Sequence, residues 1–356
     1  MTKTISKDRL SGILSSFLII FAAFLLISLL LVAIGVSPLK TFGALLKGAF
    51  GSKLGIINTI TKAVPICLCA LGVAVAKQAG IFNIGINGQM IIGSLGTVIV
   101  AVYLKGLPPV IHITLSLLAG MIAGMLYAAI PTFGYLWRKI NMLVLCLIMN
   151  TMAIKIETWL IFAYLKDPDA LTNSTYRIQQ SANLPNIIRV PARLNIGFII
   201  ALVVSVIFYI YFYKTTAGYE LKAVGLNRNA AIYAGINANK YIASSLLLGG
   251  ALAGLAGGIE ILGTYYRLYV GFSPAYGFDG IPIAILSGNN PIGIIIGSII
   301  FGALRVGSSN MQVKVGVSSE LVDVIQGVLI CFIALEYIFK FISGKILSIK
   351  LKKEAK

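Results

Sequence analysis

Between Lys77 and Gly93 the chain reads Lys-Gln-Ala-Gly-Ile-Phe-Asn-Ile-Gly-Ile-Asn-Gly-Gln-Met-Ile-Ile-Gly, with apolar runs on both sides. Its amides, Gln78, Asn83, Asn87 and Gln89, each offer paired donors and acceptors. Gly80, Gly85, Gly88 and Gly93 stand among them. In hydrocarbon every such group must be satisfied internally. Two readings follow: a broken helix lining a polar path, or a water-facing loop between two spans. A second set lies in the apolar run from about Met142 to Leu165, which holds Asn150, Lys155 and Glu157. An ionisable residue inside a span is a functional candidate. Asn150 and Glu157 are seven apart and share a helix face, and Lys155 points elsewhere. Asn150 fits a path lining. Lys155, buried in this reading, and Glu157 fit structural pairing with other helices.

Other chemistries are poorly served. Cys67, Cys69, Cys146 and Cys331 lie in apolar segments without disulfide-framework or zinc spacing, and read as small buried hydrophobes. His112 is the single histidine, and no G-x-S-x-G elbow accompanies it. No Walker A pattern occurs, since Gly344-Lys345 is followed by Ile346. The chain therefore carries no cofactor by this reading. Its net charge of +18 is scattered over loops and tails, which suits anionic headgroups and the cytoplasmic flanks of spans rather than nucleic acid.

The elements that must position these residues are membrane helices. Of 356 residues, 58% are hydrophobic and 11% charged, against about a quarter charged in a soluble domain. Apolar runs at Gly12–Gly35, Thr59–Ala76, Met90–Leu104, Val110–Pro131, Met142–Leu165, Asn195–Tyr213, Tyr241–Gly263 and Ser319–Phe341 read as eight long spans. Two shorter runs, Phe278–Leu286 and Ile292–Leu304, either cross or re-enter. The reading is one all-α polytopic bundle over residues 1–356, with about ten segments and both termini cytoplasmic. Val36–Ile57, spaced with Lys40, Lys47 and Lys53, reads as a surface helix or an outer loop. Residues 166–194 form an outer loop, 214–240 a cytoplasmic segment with a short helix at Asn229–Ala234, and 342–356 a basic cytoplasmic tail. Gly120 with Gly124, and Gly250, Gly254 and Gly258, permit close helix packing. Gly85-Ile-Asn-Gly88 and Gly277-Phe-Asp-Gly280 both open apolar runs after a polar bend, a sign of two related halves.

Three stretches in order resemble one family. Phe82-Asn-Ile-Gly-Ile-Asn-Gly-Gln89 is similar to the F-N-I-G-x-E-G-Q signature of permease subunits of ABC importers for nucleosides and simple sugars. Gly225-Leu-Asn-Arg-Asn-Ala-Ala-Ile-Tyr-Ala-Gly-Ile-Asn237 resembles that family's cytoplasmic loop. Ser273-Pro-Ala-Tyr-Gly-Phe-Asp-Gly-Ile281, Asn289-Asn-Pro-Ile-Gly293 and Phe301-Gly-Ala-Leu304 resemble its carboxyl-half signature. The likeness runs from about residue 10 to 340 and is nearest the purine-nucleoside branch. Asn87 stands where the family usually has Glu.

The resemblance implies a permease in the bacterial cytoplasmic membrane, working with a second homologous permease, a cytoplasmic ATPase that holds ATP and magnesium, and an outer substrate-binding lipoprotein. Asn83, Asn87, Gln89 and Asn150 would line an uncharged path. Asp279 would bind ribose or cap the helix after it. Gly225, Asn227, Ala230, Ala231, Tyr233 and Gly235 would couple to the ATPase, with Ala230, Ala231 and Tyr233 exposed to it. An ABC permease for ribose or another sugar is the near alternative. An ion-coupled secondary transporter is the alternative of another class, resting on Lys155 and Glu157, and a membrane enzyme has no nucleophile–base pair behind it.

Overall fold

The computed structural model describes residues 25–29, 31–33, 35–272, 275–316, 324, 327 and 328. The extreme amino-terminal residues, most of the last apolar run and the basic tail at 342–356 lie outside the described residues, and the expected sidedness of the termini lies there with them. Among the described residues the helices are α1 (Pro38–Phe50), α2 (Lys53–Gln78), α3 (Ile86–Tyr103), α4 (Pro109–Arg138), α5 (Met142–Leu160), α6 (Gly197–Lys214), α7 (Thr216–Leu226), α8 (Arg228–Tyr233), α9 (Ala238–Glu260), α10 (Tyr276–Leu286) and α11 (Pro291–Val315). Single π-helical turns, Ile161–Leu165 and Ile261–Tyr265, extend α5 and α9. A small antiparallel pair, Asn186–Ile188 with Leu194–Asn195, sits in the 166–194 loop.

Seven of these helices are long and apolar enough to cross a membrane, or eight if Leu25–Ala33 and α1 count as one bent span. Most expected spans are found within a few residues of their expected bounds. One expectation is corrected. The run Ile292–Leu304 is not a short element, because α11 continues through Arg305, Ser308, Ser309 and Asn310 to 25 residues. Ser308 and Ser309 donate back to the Arg305 carbonyl, so polar side chains extend the helix past the end of its apolar run. Of the two runs read as short, α10 is the one that stays so, at 11 residues.

The chain divides into two compact units, residues 1–55 with 304–356, and residues 56–303. In the first, Ile27, Leu31 and Met311 form a buried cluster, and the Asn310 amide donates to the Ala44 carbonyl at 2.7 Å. In the second, α2, α3 and α9 are the central helices, with 72–89% of their apolar windows buried, against 28–33% for α4, α5 and α6. The outer helices keep wide apolar faces, as at Leu118, Ile122, Leu126 and Ile130 on α4, all exposed at four-residue spacing. That is the surface a lipid-facing helix must have, since tails are as apolar as Leu.

Glycines set how closely the centre packs. A Cβ on Gly124 would run into the Gly250 carbonyl, and one on Gly254 into the Gly120 carbonyl. The two small-residue faces read from the sequence are therefore the two sides of one α4–α9 contact. Both termini of α9 matter below, so the end bearing 214–240 is called lower and the end bearing 166–194 upper.

Candidate functional site

The stretch from Lys77 to Gly93 is a buried break and not a water-facing loop. Helix α2 closes at Gln78, and Gly80 takes a left-handed φ of 79°, the conformation that ends a helix cheaply only at glycine. Ile81 N–H then bonds to the Ala76 carbonyl at 3.1 Å. Residues 79–85 run back beside α2 until α3 starts at Ile86, whose side chain lies against Gly72. The α3 helix thus begins inside the bundle.

The amides of this break close on one another. Asn83 Nδ2 donates to Gln89 Oε1 at 3.1 Å, and Gln89 Nε2 donates to Asn83 Oδ1 at 3.3 Å. Gly85 N–H also bonds to Asn83 Oδ1. Asn150, from α5, accepts from Gly88 N–H at 2.8 Å and donates to the Ile84 carbonyl at 3.0 Å. All three amides are at most 5% exposed. In this conformation Asn83, Gln89 and Asn150 are spent on the backbone of the break and on each other, as buried polar groups require.

Asn87 meets a second helix start, that of α10, which carries Asp279 in its first turn. A Cβ on Gly277 would lie 2.5 Å from Asn87 Cα and 2.6 Å from its nitrogen, so only glycine permits this approach. One turn further, Gly280 packs on the Cys69–Ala70 backbone of α2, which places the start of α10 deep along that helix. The two similar motifs, Gly85-Ile-Asn-Gly88 and Gly277-Phe-Asp-Gly280, therefore meet each other. Two helix amino ends, each a partial positive charge, face the same interior region, with Asn87 5% and Asp279 6% exposed. The residue before α10, Ala275, holds φ at 60°, a strained value for a residue with a Cβ.

Above this crossing lies a cluster that sequence reading missed. Lys62 of α2 donates to the Tyr276 hydroxyl at 2.8 Å and reaches the Tyr265 hydroxyl at 3.4 Å. Its ammonium sits 5.2 and 5.5 Å from the centroids of those two rings, within cation–π range. Glu260, the last residue of α9, is 1% exposed, and its Oε2 has no hydrogen-bond partner among the described residues. Tyr265, Tyr269 and Phe272 form an aromatic wall, with Tyr265 centroids 6.2 and 5.4 Å from the other two. The 166–194 loop is tied across this wall. Thr175 N–H bonds to the Leu268 carbonyl, Ile178 N–H to Tyr266, Leu184 N–H to Leu262, and Arg267 pairs with Asp167 at 2.9 Å. Glu260 could have been found from the sequence by the rule that singled out Glu157, an acid inside an apolar run.

The pairing expected of Lys155 and Glu157 is corrected. Lys155 is exposed, whereas Glu157 is fully buried with neither oxygen bonded among the described residues. Two positions on a helix are about 200° apart, so one faces out while the other faces in.

At the lower end, Thr215 caps α7 through Gly218 N–H, and Asn227 caps α8 through Ala230 N–H at 3.1 Å. The short helix is Arg228–Tyr233. Tyr233 is 94% exposed, Ala230 is also exposed, and Ala231 is 3% exposed. Ala231 was expected at the surface and is instead on the inner side of α8, where its carbonyl accepts from Ile236 N–H. Gly235 turns the chain at φ 82°. Arg228, Ile232 and residues 235–239 border a hollow of about 410 Å³. Gly225 lies directly on Gln78 and Gly80, and a Cβ on it would strike the Gln78 carbonyl. The exposed helix and the buried break thus share one backbone contact.

Comparison with known proteins fits this geometry. The family described as "Branched-chain amino acid transport system / permease component" matches residues 55–334. The chain is 35% identical to the guanosine ABC transporter permease protein NupP of Bacillus subtilis, over 95% of this chain and 97% of that one. It is 33% identical to the nucleoside ABC transporter permease protein NupB of Lactococcus lactis subsp. cremoris, over 98% of each. It is 32% identical to the glucose ABC transporter permease protein TsgB13 of Haloferax volcanii, over 91% of this chain and 87% of that one.

Proposed function

The chain belongs to the family of permease components of the branched-chain amino acid transport system, and from that premise we propose that it is the membrane-spanning subunit of an ATP-driven importer of purine nucleosides. It is a multi-pass protein of the cytoplasmic membrane. The observation that carries the substrate is the likeness, over nearly the whole chain, to permeases for guanosine and for nucleosides. The geometry supports a path where the amino ends of α3 and α10 cross, with Asn87 and Asp279 beside it. Interrupted helices meeting inside a bundle are where transporters hold substrate, and uncharged amides with helix amino ends suit neutral, acceptor-rich bases and ribose hydroxyls. Asn83, Gln89 and Asn150 hold the break in shape.

ATP hydrolysis belongs to a separate cytoplasmic subunit that holds ATP and magnesium. Tyr233, Ile232 and Ala230 would sit in a groove of that subunit, with Asn227 and Gly235 fixing the helix and Gly225 passing its movement to the break. A substrate-binding lipoprotein would deliver the nucleoside at the upper end, and a second homologous permease would complete the channel. The likeness to a glucose permease keeps sugar import as the second reading.

The test is uptake of labelled guanosine by cells carrying this chain with its partner subunits, with unlabelled glucose or ribose as competitor. Uptake that unlabelled sugar does not reduce is the expected result, and strong competition by sugar would move the substrate to the second reading. Ile232→Glu with Tyr233→Glu should remove ATPase co-purification while the helices stay folded. Normal co-purification of that variant would contradict the docking assignment.

A further inference from the structure

Glu260 is a buried carboxylate at the upper end of α9, and an oxygen of it lacks a partner among the described residues. Buried polar atoms are nearly always paired, and an unpaired one is costly. No ion pair closes on Glu260 among the described residues. The Lys62 ammonium spends two of its three donors on Tyr276 and Tyr265, and its third has no partner among the described residues. Tyr265 joins the two groups: its hydroxyl takes the Lys62 ammonium at 3.4 Å, and it closes the π-helical turn that follows Glu260, with Tyr269 and Phe272 against its ring. The cluster lies directly above the start of α10, since Tyr276 is the first residue of that helix.

We propose that Lys62 and Glu260 read the lactam edge of a 6-oxopurine nucleoside, with the ring stacked on the aromatic wall. The inference rests on the nucleoside reading above and adds to it which bases are taken. In guanine and hypoxanthine a ring carbonyl stands next to a ring N–H. The carbonyl accepts from the Lys62 ammonium, and the N–H donates to Glu260 Oε2, both as charge-assisted hydrogen bonds. The amino group of guanine adds a second donor on the same side. Adenine presents the reverse order, a donor toward Lys62 and an acceptor toward Glu260, and both contacts become repulsive or unpaired. A site whose buried polar groups are left unpaired rejects the wrong ligand strongly.

The experiment measures uptake of labelled guanosine in cells carrying the complete importer, with unlabelled inosine or adenosine as competitor, for the wild type, Glu260→Gln and Lys62→Gln. Each variant is first quantified in the membrane by immunodetection. The lipoprotein is the same in every strain, so a change in the competition ratio belongs to this chain. Wild type should be blocked by inosine and little affected by adenosine. Glu260→Gln offers a donor as well as an acceptor, and should shrink the inosine-over-adenosine preference by about tenfold, the worth of one charge-assisted hydrogen bond. Lys62→Gln should shrink it to a similar degree, and it decides on the same terms where the Glu260 variant does not reach the membrane. Wild type without a preference, or variants that keep it, would overturn the inference while leaving nucleoside import standing. A wild type that takes up sugar and no nucleoside would instead overturn the reading on which it rests.

Discussion

The lower break and the upper cluster use buried polar groups in opposite ways. At the break, Asn83 and Gln89 bond to each other, and Asn83 and Asn150 bond to the backbone of residues 84–88, so every side-chain oxygen and nitrogen of the three has a partner. At the cluster, Glu260 Oε2 is buried without a partner among the described residues and Lys62 leans on two tyrosine hydroxyls. A closed network holds a shape, and an open one is held ready for something that arrives. The contrast separates amides that keep a broken helix broken from groups positioned to read a substrate, although Glu260 is as buried as the amides.

Removing one member from each region should give opposite results, and this is the largest difference expected. Asn150→Leu leaves Gly88 N–H and the Ile84 carbonyl unpaired in an apolar interior, at about 1–3 kcal/mol each, and should lower the unfolding temperature of the purified chain by many degrees. Glu260→Leu removes a group with no hydrogen bond among the described residues and should leave that temperature unchanged or raise it. Equal losses in both variants would erase the distinction. Gly225→Val comes next. Its branched side chain must displace the Gln78 backbone, at about 1–3 kcal/mol. It should slow uptake while the ATPase still co-purifies, and full uptake would break the proposed link between α8 and the break.

Smaller effects bound the cluster. Arg267→Ala loses an ion pair whose side chains are 28% and 11% exposed, and should cost about 1 kcal/mol or less, read as a small drop in unfolding temperature. A large loss would mean that the pair, and not the backbone bonds around it, holds the 166–194 loop over the aromatic wall. The smallest effect belongs to Glu157→Gln, which lies in neither region. Uptake in that variant should remain and should resist ionophores; loss of uptake would bring back an ion-coupled mechanism.

Much of this was legible in the sequence, for physical reasons. Hydropathy marks spans because a bilayer demands about 20 apolar residues, and the glycine faces on α4 and α9 were visible as four-residue spacing. The end of α11 was not, because Ser308 and Ser309 satisfy themselves within the helix and hydropathy counts them as polar. The Asn83–Gln89 bond was hidden in a stretch where amides could equally face a path. The Lys62–Tyr276 contact joins residues 214 apart, so no local pattern announces it. Ala231 was misplaced because a six-residue helix has too few positions to fix which face is inward.

The most direct test of the central claim is accumulation of labelled guanosine in proteoliposomes that contain this chain, its partner permease and its ATPase, with the substrate-binding lipoprotein supplied outside. ATP with magnesium is placed on the ATPase side, and all ion gradients are collapsed. Guanosine concentrated by ATP alone, and not by a proton or sodium gradient alone, is the predicted result. Accumulation that follows an ion gradient and ignores ATP would contradict it.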